Sequence, residues 1–320
     1  MKKAMFYPLV CFLFCSLFIS GCLKETSSNV STMIYVDHNG GADYIRIQDA
    51  IDASVVNSTI FVANGTYHET LTIDKSLTIV GSGQDNTTIA YDGKKINAVD
   101  IISINADNCK IKFFKIINTN SSTNIKGITI NSNNNTISNT SISKTTEGIC
   151  IEDESTNNTI FQNNITNNEY GIKIKYASFH NYISNNIISS NTLYGIYSQT
   201  GSGDNIISWN TISYSQHGIR LKGSTHNKIF GNTAINNQRG FFLCCGATGN
   251  EVYYNEFINN SEWNAEDSTR GNPWNNETIG NYWDDHNGID TNDDGISETY
   301  YSIPGGNSRD NYPLMNPGLK

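Results

Sequence analysis

Two short phrases recur in step along this chain, and their shared period narrows the possible folds more than any other feature. A glycine followed by a large apolar residue stands at Gly127, Gly148, Gly171, Gly195, Gly218 and Gly240, with successive spacings of 21, 23, 24, 23 and 22 residues. Asparagine, any residue, then Ile or Val begins at Asn135, Asn158, Asn181, Asn205, Asn227 and Asn250, with spacings of 23, 23, 24, 22 and 23. A fixed period of this length marks a repeat architecture, in which a unit too small to bury its own apolar face buries it against its neighbours.

The glycine phrases read GITI, GICI, GIKIK, GIYS, GIRLK and GFFLC, an alternation that puts successive side chains on opposite faces of a strand. Asn, Ser, Thr and Gly fill the gaps as turn formers. The pattern predicts an all-β fold: a right-handed parallel β-helix with coils of about 23 residues and a core of stacked Ile, Leu, Val and Phe. A leucine-rich repeat would show a dense Leu consensus, and a propeller blade about twice this period. A further in-register column reads Thr140, Asn163, Asn186, Asn210, Asn232, Asn255. Such a column predicts amide ladders running from coil to coil, with Asn also suited to the left-handed backbone of a sharp turn.

The ends differ from the middle. Lys2 and Lys3, the apolar stretch from Ala4 to Phe18, and Ile19-Ser20-Gly21-Cys22 read as a lipoprotein export signal over residues 1–22, with lipidation at Cys22. Residues 23–33 read as a tether. The β-helix with its N-terminal cap is expected over 34–261, where Ile47, Ala50, Ile51 and Val55 follow the spacing of a capping helix. Residues 262–320 gather Trp263, Trp274, Tyr282, Trp283, Tyr300, Tyr301 and Tyr312 and are expected to fold over the far end as a second cap.

A balance of 21 Lys and Arg against 30 Asp and Glu, a net charge of −9, argues against nucleic acid as a partner. Beyond Cys22, cysteines at 109, 150, 244 and 245 are too sparse for a disulfide scaffold. Cys244 and Cys245, adjacent in a strand, are expected to point to opposite faces. The six histidines are scattered, and nothing resembles a copper site of clustered His, Met and Cys.

Asp290, Asn292 and Asp294 followed by Gly295 match the start of a calcium loop, with the Ile296 carbonyl and Glu298 as further ligands. Tyr301 replaces the Glu that would close a full EF-hand loop, so a bound calcium would brace the cap. No organic cofactor is expected. The residues flanking the apolar positions of each glycine phrase form two outward columns. One reads Thr129, Cys150, Lys173, Tyr197, Arg220, Phe242, and the other Asn131, Glu152, Lys175, Gln199, Lys222, Cys244. Lys173, Lys175, Tyr197, Arg220 and Lys222 make a cationic, aromatic strip suited to an acidic polysaccharide. The plainer alternative is a solvated sheet face with Glu152 paired to Lys175. An enzyme reading would cast Lys173 or Arg220 as base and Tyr197 as acid of a polysaccharide lyase or uronate epimerase.

DYIRIQDAIDAS, TIFVANGTYHETLTIDKSLTIVGSG and the closing GNYWDDHNGIDTNDDGISETYYSIPGGNSRDNYPL resemble the N-terminal cap, first coils and C-terminal element of NosD-like, carbohydrate-binding and sugar-hydrolase β-helix proteins of archaeal cell-surface type. The resemblance covers roughly Ile34 to Leu314. It implies the β-helix fold and a scaffold or polymer-binding role. The expectation is therefore an exported, lipid-anchored surface protein, non-catalytic, binding carbohydrate polymer or an envelope component. The alternatives are the lyase or epimerase and an accessory protein for copper-enzyme maturation.

Overall fold

The computed structural model describes residues 32–95, 97–120, 124–152 and 154–318. The expected export signal, Cys22 and residues 23–31 of the tether lie outside the described residues.

Each regular coil gives three short strands to three parallel sheets of ten, nine and ten strands. One coil runs Thr159–Phe161 in the first sheet, Asn164–Thr166 in the second and Tyr170–Ile174 in the third, and then climbs to Tyr182–Ser184 back in the first. The third, nine-stranded sheet carries the glycine phrases and is called the glycine sheet below. In it Ile149, Ile172, Ile196, Ile219 and Phe241 pair in one file, and all are fully buried. The first sheet supplies the file Ile137, Ile160, Ile183, Ile207, Ile229, and the second supplies Ile142, Ile165, Ile188, Ile212. Each such isoleucine contributes about 1.5–3 kcal/mol of burial. The files meet in one interior, which fits one period holding over so many coils.

The glycine has a steric cause. A Cβ at Gly148 would stand 2.6 Å from the Gly171 carbonyl oxygen, and one at Gly171 would stand 2.5 Å from that of Gly195. The backbones of successive coils approach too closely there for a side chain.

Asparagine ladders tie the corners. Asn186 Oδ1 accepts from the backbone nitrogen and Nδ2 of Asn163, while its own Nδ2 donates to Ile160 O and Asn210 Oδ1, all at 2.9–3.1 Å. One ladder runs Asn135, Asn158, Asn181, Asn205, Asn227, Asn250, Asn272 and a second runs Asn163, Asn186, Asn210, Asn232, Asn255, Asn281. A third, broken by Ser215, uses Asn168, Asn191, Asn237 and Asn260. The ladder residues do not take the left-handed backbone expected of them. The residue before nearly all of them does: Asn157, His180, Asp204 and His226 have φ of 58°, 58°, 51° and 56°, with Gly280 before Asn281 the exception. That residue turns the corner, and the next side chain is left buried and free to bond.

At the N-terminus Met33–Val36 already pairs with Thr59–Val62, so the first sheet begins ahead of the capping helix. The helix α1, Ile47–Ala53, buries Ile47, Ala50 and Ile51 over the open end. The Glu69 carboxylate accepts from the Ile47 and Gln48 nitrogens at 2.9 and 3.1 Å, satisfying its first turn. Val55 lies past the helix end and is exposed, because Ser54 takes extended backbone. At the far end the glycine sheet continues through Trp263–Asp267 and the second sheet through Tyr282–Trp283, so the coils run past the expected boundary at 261. The cap then stacks Trp283 between Phe257 at 4.3 Å and Tyr301 at 4.1 Å.

Candidate functional site

The glycine-sheet strands over Lys126–Asp267 are five or six residues long, against three for their counterparts in the first and second sheets from Thr136 to Ile258. Longer strands give more outward positions per rung. One outward file, paired in register, is Cys150, Lys173, Tyr197, Arg220, Phe242, Glu266. A second is Glu147, Tyr170, Tyr194, His217, Arg239, Trp263. From Cys150 to Phe242 the first file follows the column expected from the sequence, and Glu266 extends it. From Glu147 to Arg239 the second consists of the residue immediately before each glycine, a position that reading the repeat from its glycine passes over, and Trp263 continues it before Asn264.

At the lower end the face is ionic. Lys175 holds both Glu152 oxygens, at 2.6 and 2.8 Å, and Lys126 reaches Glu152 Oε1 at 2.5 Å. Lys173 bonds Glu147 and lies 4.7 Å from the Tyr170 ring centroid. Burial opposes ionisation of both acids, but the ammonium groups more than offset it and hold Glu152 down at about 2 and Glu147 below its ordinary value. Asp100, which accepts from Thr129 Oγ1, is instead raised by burial. The Glu152–Lys175 pair of the plainer sequence reading is present. Thr129, Cys150 and Tyr197, expected to face solvent, are buried under these neighbours.

Higher up the face is aromatic. Tyr197 stacks on Tyr194 at 4.9 Å, Tyr194 on His217 at 5.2 Å, and His217 on Phe242 at 5.6 Å. Arg220 lies 5.2–5.8 Å from the centroids of Tyr194, Tyr197 and Phe242, and donates to Tyr194 Oη at 2.5 Å and Cys244 Sγ at 3.7 Å. Burial, with Arg239 and Arg220 nearby, lowers His217 to about 4, so the ring is neutral at neutral pH. Its Nδ1 and the Arg220 Nε are buried without partners. Of the five strip residues, Lys173, Lys175, Tyr197 and Arg220 are engaged within the face, and Lys222 is exposed at its edge.

The expected calcium loop lies far down the chain in the cap. Asp290 accepts from the nitrogens of Asp294 and Gly295 at 3.2 and 2.9 Å, Asn292 Oδ1 from Asp294 at 3.0 Å, and Asp294 Oδ1 from Ile296 at 2.9 Å. Glu298 turns instead to Thr291, at 3.0 Å from its nitrogen.

The family described as Periplasmic copper-binding protein (NosD) matches residues 51–288. The probable ABC transporter binding protein NosD of Pseudomonas aeruginosa is 32% identical over 74 residues, which is 23% of this chain and 17% of that protein. Among solved structures, the Dettilon tailspike protein gp208 superposes with a TM-score of 0.57 at 17% identity, over 78% of this chain and 62% of the other. A DFA-IIIase from Arthrobacter chlorophenolicus A6, in complex with DFA-III, gives 0.59 at 14% identity over 73% of this chain and 69% of the other. At such identities the likeness is one of fold.

Copper favours thiolate, thioether and imidazole donors. Among the described residues, Glu147, Cys150 and Glu152 bring one ligand atom each to within 4.8 Å of the others. Their carboxylates are held by Lys126, Lys173 and Lys175, and burial beside two carboxylates pushes the Cys150 thiol well up. Two ion-paired carboxylates and a protonated thiol do not fit a copper ion.

Proposed function

This chain belongs to the NosD family of exported proteins, and from that premise we propose that it is a non-catalytic scaffold holding an extended acidic polysaccharide along the outer face of its glycine sheet. In this reading it is tethered at the cell surface through Cys22. The observation that carries it is the unbroken run of ionic and aromatic side chains, rung on rung from Glu147 to Trp263, on this face; the first sheet has a shorter run in Lys228–Glu251 and Phe230–Tyr253. Over the rungs from Ser141 to Ser213 the second sheet offers Ser141, Ser143, Asn164, Thr166, Ile187, Ser189, Thr211 and Ser213, with no charged or aromatic side chain among them. The six rungs from Glu147 to Trp263 span about 24 Å at the usual spacing of neighbouring strands. Solubility alone asks for no such stacking. The exposed Lys222 and the half-buried Arg220 and Tyr194 supply cation and hydroxyl at the open part of the strip.

Calorimetric titration with acidic and neutral oligosaccharides tests the proposal. Polyuronate oligomers are expected to bind, more weakly at higher salt. Replacing both cations, Arg220→Ala with Lys222→Ala, is expected to weaken binding about tenfold or more, as loss of about 1.4 kcal/mol requires. Absence of binding by any acidic glycan at millimolar concentration overturns the reading. Unsaturated sugar ends or a changed epimer ratio on incubation overturns its non-catalytic part.

A further inference from the structure

Cys244 closes the strand Arg239–Cys244 of the glycine sheet, and Cys245 is the next residue. Strict strand alternation would set their sulfurs on opposite faces. The structure does otherwise. Cys245 takes the left-handed backbone at φ 60°, which swings its side chain back toward its neighbour, and the two Sγ atoms stand 3.1 Å apart. The pair is asymmetric. Cys244 is buried and receives the Arg220 guanidinium, whereas Cys245 is exposed.

We propose that Cys244 and Cys245 are a redox pair that closes to a vicinal disulfide by exchange with an external disulfide. The exposed Cys245 sulfur, as thiolate, attacks one sulfur of the oxidant, forming a mixed disulfide and expelling one thiolate. Cys244 then gives up its proton to solvent and attacks Cys245 Sγ. The intramolecular S–S bond forms, and the second thiolate leaves. The two protein thiols lose two electrons and two protons, and the oxidant disulfide gains them as two thiols. Burial and the neighbouring sulfur push the Cys244 thiol up to about 11, which suits it to the second, intramolecular step rather than the first. The export expected of this family places the pair where such oxidants are met. Closure would change the sulfur that Arg220 donates to, and so couple oxidation state to the strip. The pair itself stands whether or not the face binds a glycan.

The test uses the full chain treated with oxidised glutathione, then alkylated, cut with trypsin and weighed. The tryptic peptide 240–270 contains Cys244 and Cys245 and no other cysteine. It is expected to be lighter by two hydrogens and to resist alkylation, in a chain that stays unlinked to others. Cys244→Ser is expected to stop at a glutathione adduct on Cys245, and Cys245→Ser to take no adduct while folded. The proposal fails if wild-type protein accumulates the Cys245 adduct without closing. It fails equally if both thiols remain alkylable after oxidation, or if the new disulfide joins two chains.

Discussion

One carboxylate oxygen of Asp310 lies 2.6 Å from the backbone nitrogen of Asn281, the last residue of the second amide ladder. The same oxygen accepts from Trp283 Nε1 at 3.0 Å, and its partner oxygen accepts from the Tyr312 nitrogen at 3.0 Å. The other ladders end alike. Asn272 and Trp274 donate to Asp267 at 3.2 Å, and Asn260 passes through Asn264 to Asp284 and Asp285. Along each ladder backbone N–H groups and one amide N–H per asparagine donate toward the C-terminal end, so a carboxylate completes it as an anion completes a helix N-terminus. Asp310→Ala leaves these buried donors without an acceptor. It is expected to cost about 3 kcal/mol, since bonds to charged groups are worth about 1.5–3 kcal/mol each. Urea unfolding measures it, and a loss below about 1 kcal/mol would deny the carboxylate this role.

Acidity separates two buried groups of opposite sign. Burial raises the Asp310 carboxyl to about 6, against the hydrogen bonds it accepts. The folded chain then binds this proton more readily than the unfolded chain. Its contribution is fully present below the ordinary carboxyl value and is lost as pH rises through about 6. His217 is lowered to about 4, chiefly by burial, so its contribution is present above the ordinary imidazole value and is lost as pH falls through about 4. Urea midpoints between pH 4 and 7 should therefore fall more steeply on acidification in Asp310→Asn. They should fall less steeply in His217→Phe, which keeps the stack between Tyr194 and Phe242. Curves parallel to wild type in both variants would contradict the assignment.

A single mid-ladder asparagine is expected to matter more than its size suggests. Asn186→Ala removes the acceptor for two Asn163 donors and the donor to Ile160 O and Asn210 Oδ1. The expected loss is about 2–4 kcal/mol, because several buried groups go unpaired at once. Because Asn186 and Asn210 share a bond, Asn186→Ala with Asn210→Ala should cost less than the two separate losses together. Strict additivity by denaturation would mean that the ladder is not one network.

The interior was legible in the sequence because one period governs it: Ile149, Ile172, Ile196 and Ile219 follow their glycines at a fixed step and do form one file. The outer face was less legible. Glu147 holds Lys173 from a different coil and from the position before the glycine, so no column read from the glycine brings them together. The third ladder was hidden because Thr145 and Ser215 interrupt its asparagines and no isoleucine phrase marks it. The Cys244–Cys245 contact was hidden for a third reason. Alternation holds only while the backbone stays extended, and it lapses where Cys245 turns left-handed.

Gly171→Ala tests the close approach of the coils. The added Cβ would meet the Gly195 carbonyl oxygen at 2.5 Å and Ile188 Cγ2 at 2.6 Å, both too near to keep. Local separation of two rungs is expected to cost about 1–3 kcal/mol, the usual penalty of overpacking. A melting midpoint equal to wild type would mean that the coils give way freely along this strand.

The loop from Asp290 to Glu298 is predicted to bind calcium. Three side chains there, Asp290, Asn292 and Asp294, already accept from loop nitrogens. These bonds fold the short segment back on itself, and the remaining oxygen lone pairs are the hard donors calcium takes. Glu298, now on Thr291, would have to turn if it joins them. Calcium at a hundred times its dissociation constant should stabilise the cap by about 2.7 kcal/mol, if the unfolded chain does not bind it. The measurement is the unfolding midpoint in calcium against a chelator, followed by Trp fluorescence, since Trp274 and Trp283 lie buried in the cap. Asp290→Asn with Asp294→Asn should remove the difference. An equal midpoint with and without calcium in the wild-type chain would leave the segment as an acidic turn held by its own backbone.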